Sequence, residues 1–598
     1  MNRAQSRVPY AGPSPAQVLA DRLRVALISA FGEEYAGTDP LIRPSDHADW
    51  QANVAMALAK RLRRAPRDVA RELVDLLDAT GLVSDLVSDV QVSGPGFINF
   101  TLRDAWIAEQ IQRISADRRL LVPVATRPQR VVVEYSSPNV AKVMHVGHLR
   151  TTIVGDAIAR ILEFLGHDVI RDNHIGDWGT PFGMLIEHLL DFEGGPAAGA
   201  DAVMTDPGGF YKAAQAKFGS DEEFAGRARR RLVALQSGHE ETLRYWQILV
   251  DHSMRSYNEL YERLGVTLTD GDVKGESFYN ELLPKVVEEL VELGMAVVSE
   301  GALCVILPEF KGRDGGPKVV IIRKRDGGFN YTASDLATIR HRIGDVRADR
   351  VVYVVGDEQT EHFELLFAIA RKARWVPDGV VLEHAKIGLV TDPGTGKKLK
   401  SRSGKAPGLL DLLDGARERA ALQVDGRPRN EPFDDETRDA LIDAEAVGAV
   451  KFADLVVPRY SKYGIDPDRM VAFTGRSAGF LQYAGVRMQS VLAKGGLTPE
   501  SATAPIVIGT KQERDLLLHL LDFGVTLEQA GAAAEPHRLA EYLFKLATLY
   551  TAFYEACPVL KAGVDEETRE SRLALCALAW RTLATGLDLL GIPAPDRM

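Results

Sequence analysis

The amino-acid sequence predicts a multidomain α/β protein built around a doubly wound parallel sheet. Short runs with β-branched centres, Val131–Tyr135, Asp168–Asp172 and Val351–Val355, alternate with apolar-periodic helical segments, the pattern of strands joined by crossovers. Residues 190 to 320, approximately, interrupt the alternation and read as an insertion between two halves of the sheet. Beyond about Asp434 strand character fades and helical periodicity takes over.

The segment before Pro123 stands apart as an α+β module. It reads as a helix over Pro15–Ala30, a loop from Pro40 to Pro44, helices over Asn53–Leu62 and Arg67–Leu77, and a strand at Phe97–Thr101 fed by the turn Gly94-Pro95-Gly96. Ala125–Gln129 reads as its exit linker. The insertion contains the charged helices Glu222–Leu235, Glu240–Leu264 and Glu281–Leu293, and a strand pair near Ala296–Ile306 and Val319–Ile322. A further helix is expected at Leu409–Glu418. The C-terminal region reads as an all-α bundle of Asp439–Leu455, Ala478–Leu492, Lys511–Gln529, Arg538–Ala556 and Glu566–Leu590. The Ala- and Gly-rich patches Gly194–Ala200 and Ala530–Ala534 read as loops. The expected domains are residues 1–122, 123–430 and 431–598.

Hydrophobic residues at 45% and charged residues at 26% match a soluble globular protein. No apolar run approaches the roughly 18–20 residues that span a bilayer, and Met1–Gln5 lacks a signal-peptide core. The three cysteines form no CxxC pair, which argues against zinc and disulfides and fits a reducing cytoplasm. The formal charge of −11 gives no sign of a nucleic-acid partner, although phosphate contacts need only a local basic stripe.

The most informative motif is Pro138–His148. It lies between the first strand and an apolar-periodic helix, so His145 and His148 stand at a helix mouth. The first N–H groups of a helix are unpaired and carry partial positive charge. Imidazoles there can donate to phosphate oxygens, and Gly147 admits a flat ring close to the backbone. The plain alternative is two surface histidines at a cap. A second motif, Lys397–Lys405, follows Gly394-Thr395-Gly396 and reads as a mobile basic loop able to meet a polyphosphate, or simply a solvated one. Tyr331 and Asp335 are four apart and share a helix face. Glu134, at the end of the first strand, is a further carboxylate. Phe480, Tyr483 and Arg487 share another helical face, and Tyr550 and Tyr554 form an i, i+4 pair. Such stripes are either core or platforms for unstacked bases.

Pro138–His148 resembles the "HIGH" motif of class I aminoacyl-tRNA synthetases, and Lys398–Arg402 resembles their "KMSKS" loop. More narrowly, the chain resembles the arginyl-tRNA synthetases. That likeness rests on Glu134–Asn139, Asn173–Thr180, Phe480–Ala484, Pro593–Met598 and Ser93–Phe100. It implies an N-terminal module that meets the tRNA elbow, a Rossmann-like catalytic core with an insertion, and a helical anticodon-binding bundle. It also implies ATP-dependent ligation of L-arginine to its tRNA through arginyl-adenylate, with ATP and Mg²⁺ as the nucleotide pair, no zinc, no editing site, and a cytoplasmic monomer. The catalytic residues would be His145, His148, Lys398 and Lys142. ATP would meet Gly147, both histidines, Lys398, Lys400 and Ser401. Arginine would meet Glu134, Ser136, Asn139, Tyr331, Asp335 and Gln359. The tRNA would meet Phe97, Asn99, Phe480, Tyr483, Arg487, Tyr550, Tyr554 and Met598.

Two departures stand out. The second lysine of the family loop is replaced by Ser401, and Lys142 is expected to supply the missing charge. Gly475–Gly479 stands where relatives carry an Asn-Thr-Ala-Pro-like run. A different HxGH nucleotidyltransferase and a non-catalytic tRNA-binding relative are the competing readings.

Overall fold

The computed structural model describes residues 14–312, 315–325, 327–391, 408–428, 433–464 and 475–598. The N-terminal module contains α1 (Pro15–Phe31), β1 (Ile42–Pro44), β2 (Trp50–Ala52), α2 (Val54–Leu62), α3 (Pro66–Thr80), β3 (Val87–Ser93), β4 (Phe97–Leu102) and α4 (Asp104–Ala116). Its strands pair antiparallel in the order β1-β2-β4-β3. Proline opens α1 and α3, where a missing N–H costs nothing. In the β3–β4 turn, a Cβ on Gly96 would lie 2.8 Å from the Pro66 carbonyl, so glycine is required by close approach.

The central sheet is built from β5 (Arg130–Glu134) and β6 (Asp168–Asp172), joined by α5 (Val146–Phe164). After α6 (Thr180–Leu190) the insertion supplies α7 (Gly195–Thr205), α8 (Pro207–Ser220), α9 (Glu222–Gln236), α10 (Glu240–Leu264), α11 (Leu283–Glu292) and the antiparallel strands β7 (Ala296–Ser299), β8 (Ala302–Lys311) and β9 (Pro317–Arg323). The chain re-enters the core through α12 (Tyr331–Gly344), β10 (Arg350–Tyr353), α13 (Thr360–Lys372) and β11 (Val381–His384). All four core strands are parallel, in the order β11-β10-β5-β6. Burial alternates along them. Val131, Val133 and Val352 face the core that includes α5. Val132, Val351 and Tyr353 face a second core with Leu336, Ala337, Leu366 and Ile369 from α12 and α13. Both faces are covered, which is why these strands read as continuous apolar runs.

A short parallel pair, β12 (Val390–Thr391) and β13 (Tyr463–Gly464), flanks α14 (Leu409–Gly426) and α15 (Asp435–Leu455). The bundle continues with α16 (Ala478–Lys494), α17 (Lys511–Leu520), α18 (Phe523–Ala533), α19 (His537–Ala556) and α20 (Glu566–Leu589). Among the described residues no helix is long and apolar enough to cross a membrane.

Several sequence expectations need correction. Gly194–Ala200 is not a loop but enters α7. Pro196 suits its first turn, and a Cβ on Gly199 would meet the Leu189 carbonyl at 2.8 Å, so that glycine serves helix packing. Ala530–Ala533 likewise belongs to α18, where a Cβ on Gly531 would lie 2.7 Å from Leu165 of the α5 end. The expected single helix over Lys511–Gln529 breaks at Leu521-Asp522 into α17 and α18. The insertion has three strands, because Glu300 and Gly301, both at positive φ, turn β7 back onto β8.

The N-terminal module is fastened to the bundle by Arg514 of α17. Its guanidinium reaches Asp49 through Nη1 and Nη2 at 2.6 and 2.8 Å, Asp104 at 2.8 Å and the Leu102 carbonyl at 3.0 Å.

Candidate active site

In an open parallel sheet, ligands settle beyond the carboxyl ends of the strands where connections run off in opposite directions. Here that crevice lies between β5 and β10. The turn leaving β5 is strained. Ser136, Ser137 and Ala141 all take left-handed φ values, 68°, 49° and 58°. Tertiary contacts hold it: Ser137 N donates to Asn173 Oδ1 at 3.0 Å, Ala141 N to Ser253 Oγ at 2.9 Å, and the Tyr257 hydroxyl to the Asn139 and Lys142 carbonyls at 2.7 and 3.2 Å.

This turn delivers His145 as the N-cap of α5. Gly147 N donates to His145 Nδ1 at 3.0 Å, and His145 N donates to His148 Nδ1 at 3.1 Å. A ring nitrogen that accepts from a backbone N–H carries no proton, so the donor of each imidazole is Nε2–H. The rings lie 4.1 Å apart. Burial, and then the neighbouring His145 charge, lower the His148 pKa to about 4. A Cβ on Gly147 would stand 2.7 Å from the His145 ring, so only glycine keeps this arrangement. Lys142 is exposed, its ammonium 5.2 Å from the Tyr211 ring. Gly408 bridges to His145, and Leu409 N donates to the Met144 carbonyl at 3.0 Å, so the chain following the second motif returns to the first. Lys398, Lys400, Ser401 and Arg402 lie outside the described residues.

Tyr331 opens α12 and is 66% exposed. One turn on, Asp335 Oδ2 lies 2.6 Å from His362 Nε2, and the His362 ring is 5.1 Å from Tyr331. Gln359 is exposed just ahead of α13. These groups gather near the end of β10. Two expected ligands are arranged differently from a simple open pocket. Glu134 is buried, and its Oε2 already accepts from Arg342 Nη1 at 2.5 Å. The Ser136 hydroxyl is turned inward, between Tyr261 at 2.7 Å and Thr152 at 2.9 Å, which corrects its expected contact with substrate. Asn139 is exposed. Sequence reading missed Glu276, whose pKa burial raises to about 7, with His174 opposing and Asp335 and Asp177 adding to the rise. No local periodicity marks it.

A family model for "tRNA synthetases class I (R), catalytic domain" matches residues 110–466. An "Arginyl tRNA synthetase N terminal domain" model matches 17–102, and a "DALR anticodon binding domain" model matches 481–598. The arginine--tRNA ligase of Thermobifida fusca is 54% identical across 98% of this chain and 100% of its own length. The chain belongs to the arginyl-tRNA synthetases. Its fold is similar to that of the Plasmodium falciparum arginyl-tRNA synthetase, with a TM-score of 0.82 at 25% identity over 99% of this chain and 100% of that one. It is also similar to the Thermus thermophilus arginyl-tRNA synthetase, with a TM-score of 0.77 at 26% identity over 98% and 100%.

In this arginyl-tRNA synthetase the aromatic residues expected on one RNA face divide into two sets. Arg487 stacks between Tyr483 and Tyr554, its guanidinium 4.7 and 4.9 Å from their ring centres. These three line an open groove of about 600 Å³ with Lys494 and Lys561. Tyr550, by contrast, is fully buried with its hydroxyl 3.8 Å from Cys576 Sγ, so its expected contact with RNA is corrected to a packing role beneath Tyr554. Phe480 is half-buried against Phe544, and Met598 is partly buried against the core. In the N-terminal module Phe97 is half-buried. Asn99 is 5% exposed, and its amide is satisfied by Ser45 at 3.0 Å and Ser93 at 2.7 Å, so it supports the sheet rather than facing outward.

The neutral Nε2–H form of His148 has a direct test. Between pH 6.5 and about 4 the unfolded chain takes up a proton that folded His148 refuses, so this contribution to stability falls as pH falls through that window. Nitrogen-15 NMR of His148 is expected to show protonated Nε2 and no titration from pH 8 down to about 5.5.

Proposed function

We propose that the crevice between β5 and β10 is where this arginine--tRNA ligase joins arginine to ATP. The arginine carboxylate attacks the α-phosphorus, a new P–O bond forms, and pyrophosphate leaves. The terminal ribose hydroxyl of the tRNA, the 2′-OH in class I, then takes the arginyl group and AMP departs. No protein nucleophile is needed, because the transition state is met by fixed donors where phosphate charge develops. The observation that carries this reading is the pair of imidazoles locked with Nε2–H as donor at the N-terminus of α5. His145 and His148 would meet the phosphates, Gly147 would lie under the adenine, and Lys398, Lys400 and Ser401 would close on the β- and γ-phosphates with Mg²⁺ carried in by ATP. Lys142 would stand in for the absent second loop lysine.

Arginine would lie with its α-amino and carboxylate end near Asn139 and its guanidinium toward Tyr331, Asp335 and Glu134, with Gln359 beside it. A site built on buried carboxylates rejects lysine and citrulline, because its acceptors would be left poorly paired, so no editing step is required. Phe97, Tyr483, Arg487 and Tyr554 would meet the tRNA. The reading includes a monomer working in the cytoplasm, divided near residues 122 and 430.

Pyrophosphate exchange with each amino acid, with and without tRNA, tests the assignment. Exchange is expected with arginine alone among them, and exchange with another amino acid would overturn it. Lys142→Ala is expected to lower the exchange rate about 100-fold, the scale for loss of one transition-state donor, and a wild-type rate would remove Lys142 from the mechanism. Loss of one stacking side chain is expected to weaken tRNA binding about 10-fold in Tyr483→Ala, whereas Tyr550→Phe should bind tRNA as wild type does, as read by filter binding.

A further inference from the structure

Glu134 and Asp172 are the last residues of two paired parallel strands and stand opposite each other in register. Both are almost wholly buried. Two carboxylates one strand spacing apart repel, and removing either from water is costly. Between them lies Arg342 of α12, 1% exposed. Its Nη1 bonds Glu134 Oε2 at 2.5 Å, while Nε and Nη2 approach Asp172 Oδ2 at 3.2 and 2.9 Å. The Tyr353 ring lies 5.2 Å from the guanidinium. The charges do not cancel: two carboxylates face one cation. Asp172 Oδ1 and the hydroxyls of Tyr279 and Tyr353 are buried without a hydrogen-bond partner. Among the described residues, Glu134 Oε1 accepts no hydrogen bond. Tyr331, Asp335 and Arg342 fall at i, i+4 and i+11, one stripe of α12 that runs from exposed mouth to buried floor.

We propose that Arg342 is a positioning residue for arginine recognition. Its resident guanidinium holds both carboxylates and turns Glu134 so that one oxygen remains for the guanidinium of the substrate, which supplies the second positive charge. This deepens the reading of the crevice given above and rests on Glu134 meeting arginine. A fold needing only a buried cross-link would be served by Asp172 alone, and apolar residues of similar volume would serve it at least as well. The excess negative charge is what a second, incoming cation offsets.

Three variants are compared by pyrophosphate exchange in the presence of arginine tRNA, with the KM for arginine, the KM for ATP and kcat measured separately. Arg342→Gln is expected to raise the KM for arginine about 30-fold or more, the cost of stranding a buried charge, and to leave the KM for ATP within about twofold. In Asp172→Asn/Arg342→Gln no second carboxylate faces Glu134, so the KM for arginine is expected to return to within about fivefold of wild type. A cross-link that acts only on folding would give no such recovery. The proposal is overturned if Arg342→Gln leaves the KM for arginine unchanged, or if the double variant binds arginine no better than the single one. Should Arg342→Gln fail to fold, the double variant decides alone: a KM for arginine within about fivefold of wild type bears the proposal out, and a larger rise overturns it. Glu134→Gln separates the two levels. An unchanged KM for arginine there removes Glu134 from the substrate site and the proposal with it. A raised value beside an unchanged Arg342→Gln leaves the site reading standing and removes Arg342 alone.

Discussion

Two carboxylates end adjacent strands at the centre of this fold, and a single buried guanidinium lies between them. The order of the sheet sets these two strand ends side by side. With β5 flanked by β6 on one side and β10 on the other, the strand ends converge on one crevice, and any charge placed there is held in a low-dielectric setting. The opposite requirement operates a few residues later on the same strand-turn-helix unit. The N-terminus of α5 and the Nε2–H groups of His145 and His148 present donors, not acceptors. An acidic floor and a donor-rich helix mouth thus stand side by side, which is the electrostatic pattern a cationic amino acid and an anionic nucleotide require together.

The rest of the molecule keeps this unit in place. Arg150, two residues beyond His148, is completely buried. It pairs with Asp454 of α15 at 2.9 Å and donates to the carbonyls of Gly388 and Ser461 at 3.0 and 2.8 Å. The approach of those two segments is so close that a Cβ on Gly388 would lie 2.2 Å from the Ser461 carbonyl. One side chain therefore ties the histidine helix to the stem of the bundle and to the chain entering β12. Gly531 of α18 packs on Leu165 at the far end of the same helix. The bundle that carries the Tyr483–Arg487–Tyr554 groove is thus continuous with the helix that carries the histidines.

Local features were legible in the sequence. The strand, turn and helix around His145 follow from an apolar run and helical periodicity within some thirty residues, whereas the left-handed φ of Ser136, Ser137 and Ala141, none of them glycine, left no mark in the sequence. The insertion between β6 and β10 showed as a change of period. Composition misled at Gly194–Ala200 and Ala530–Ala534, where Gly199 and Gly531 mark helix-to-helix contact while, of the glycines there, only Gly194 and Gly195 use the freedom of positive φ. Helical spacing placed Tyr550 beside Tyr554 but could not say that one turns to the core and the other to solvent. What no local signal could show is partnership across distance: Arg342 meets Glu134 from 208 positions away, and Glu276 gathers with Asp335 only through the insertion. Resemblance named Glu134 as a ligand, but the cation already beside it is a property of the folded chain.

The central claim is that one crevice holds both substrates of the first step, nucleotide phosphate on the histidines and guanidinium on the acidic floor. A crystal structure with a sulfamoyl analogue of arginyl-adenylate tests this most directly. The account predicts the sulfamoyl oxygens within hydrogen-bond distance of Nε2 of His145 and His148, the adenine over Gly147, and the guanidinium between Asp335 and the outer oxygen of Glu134. An analogue seated elsewhere, or one whose guanidinium displaces Arg342 from Glu134, would contradict it.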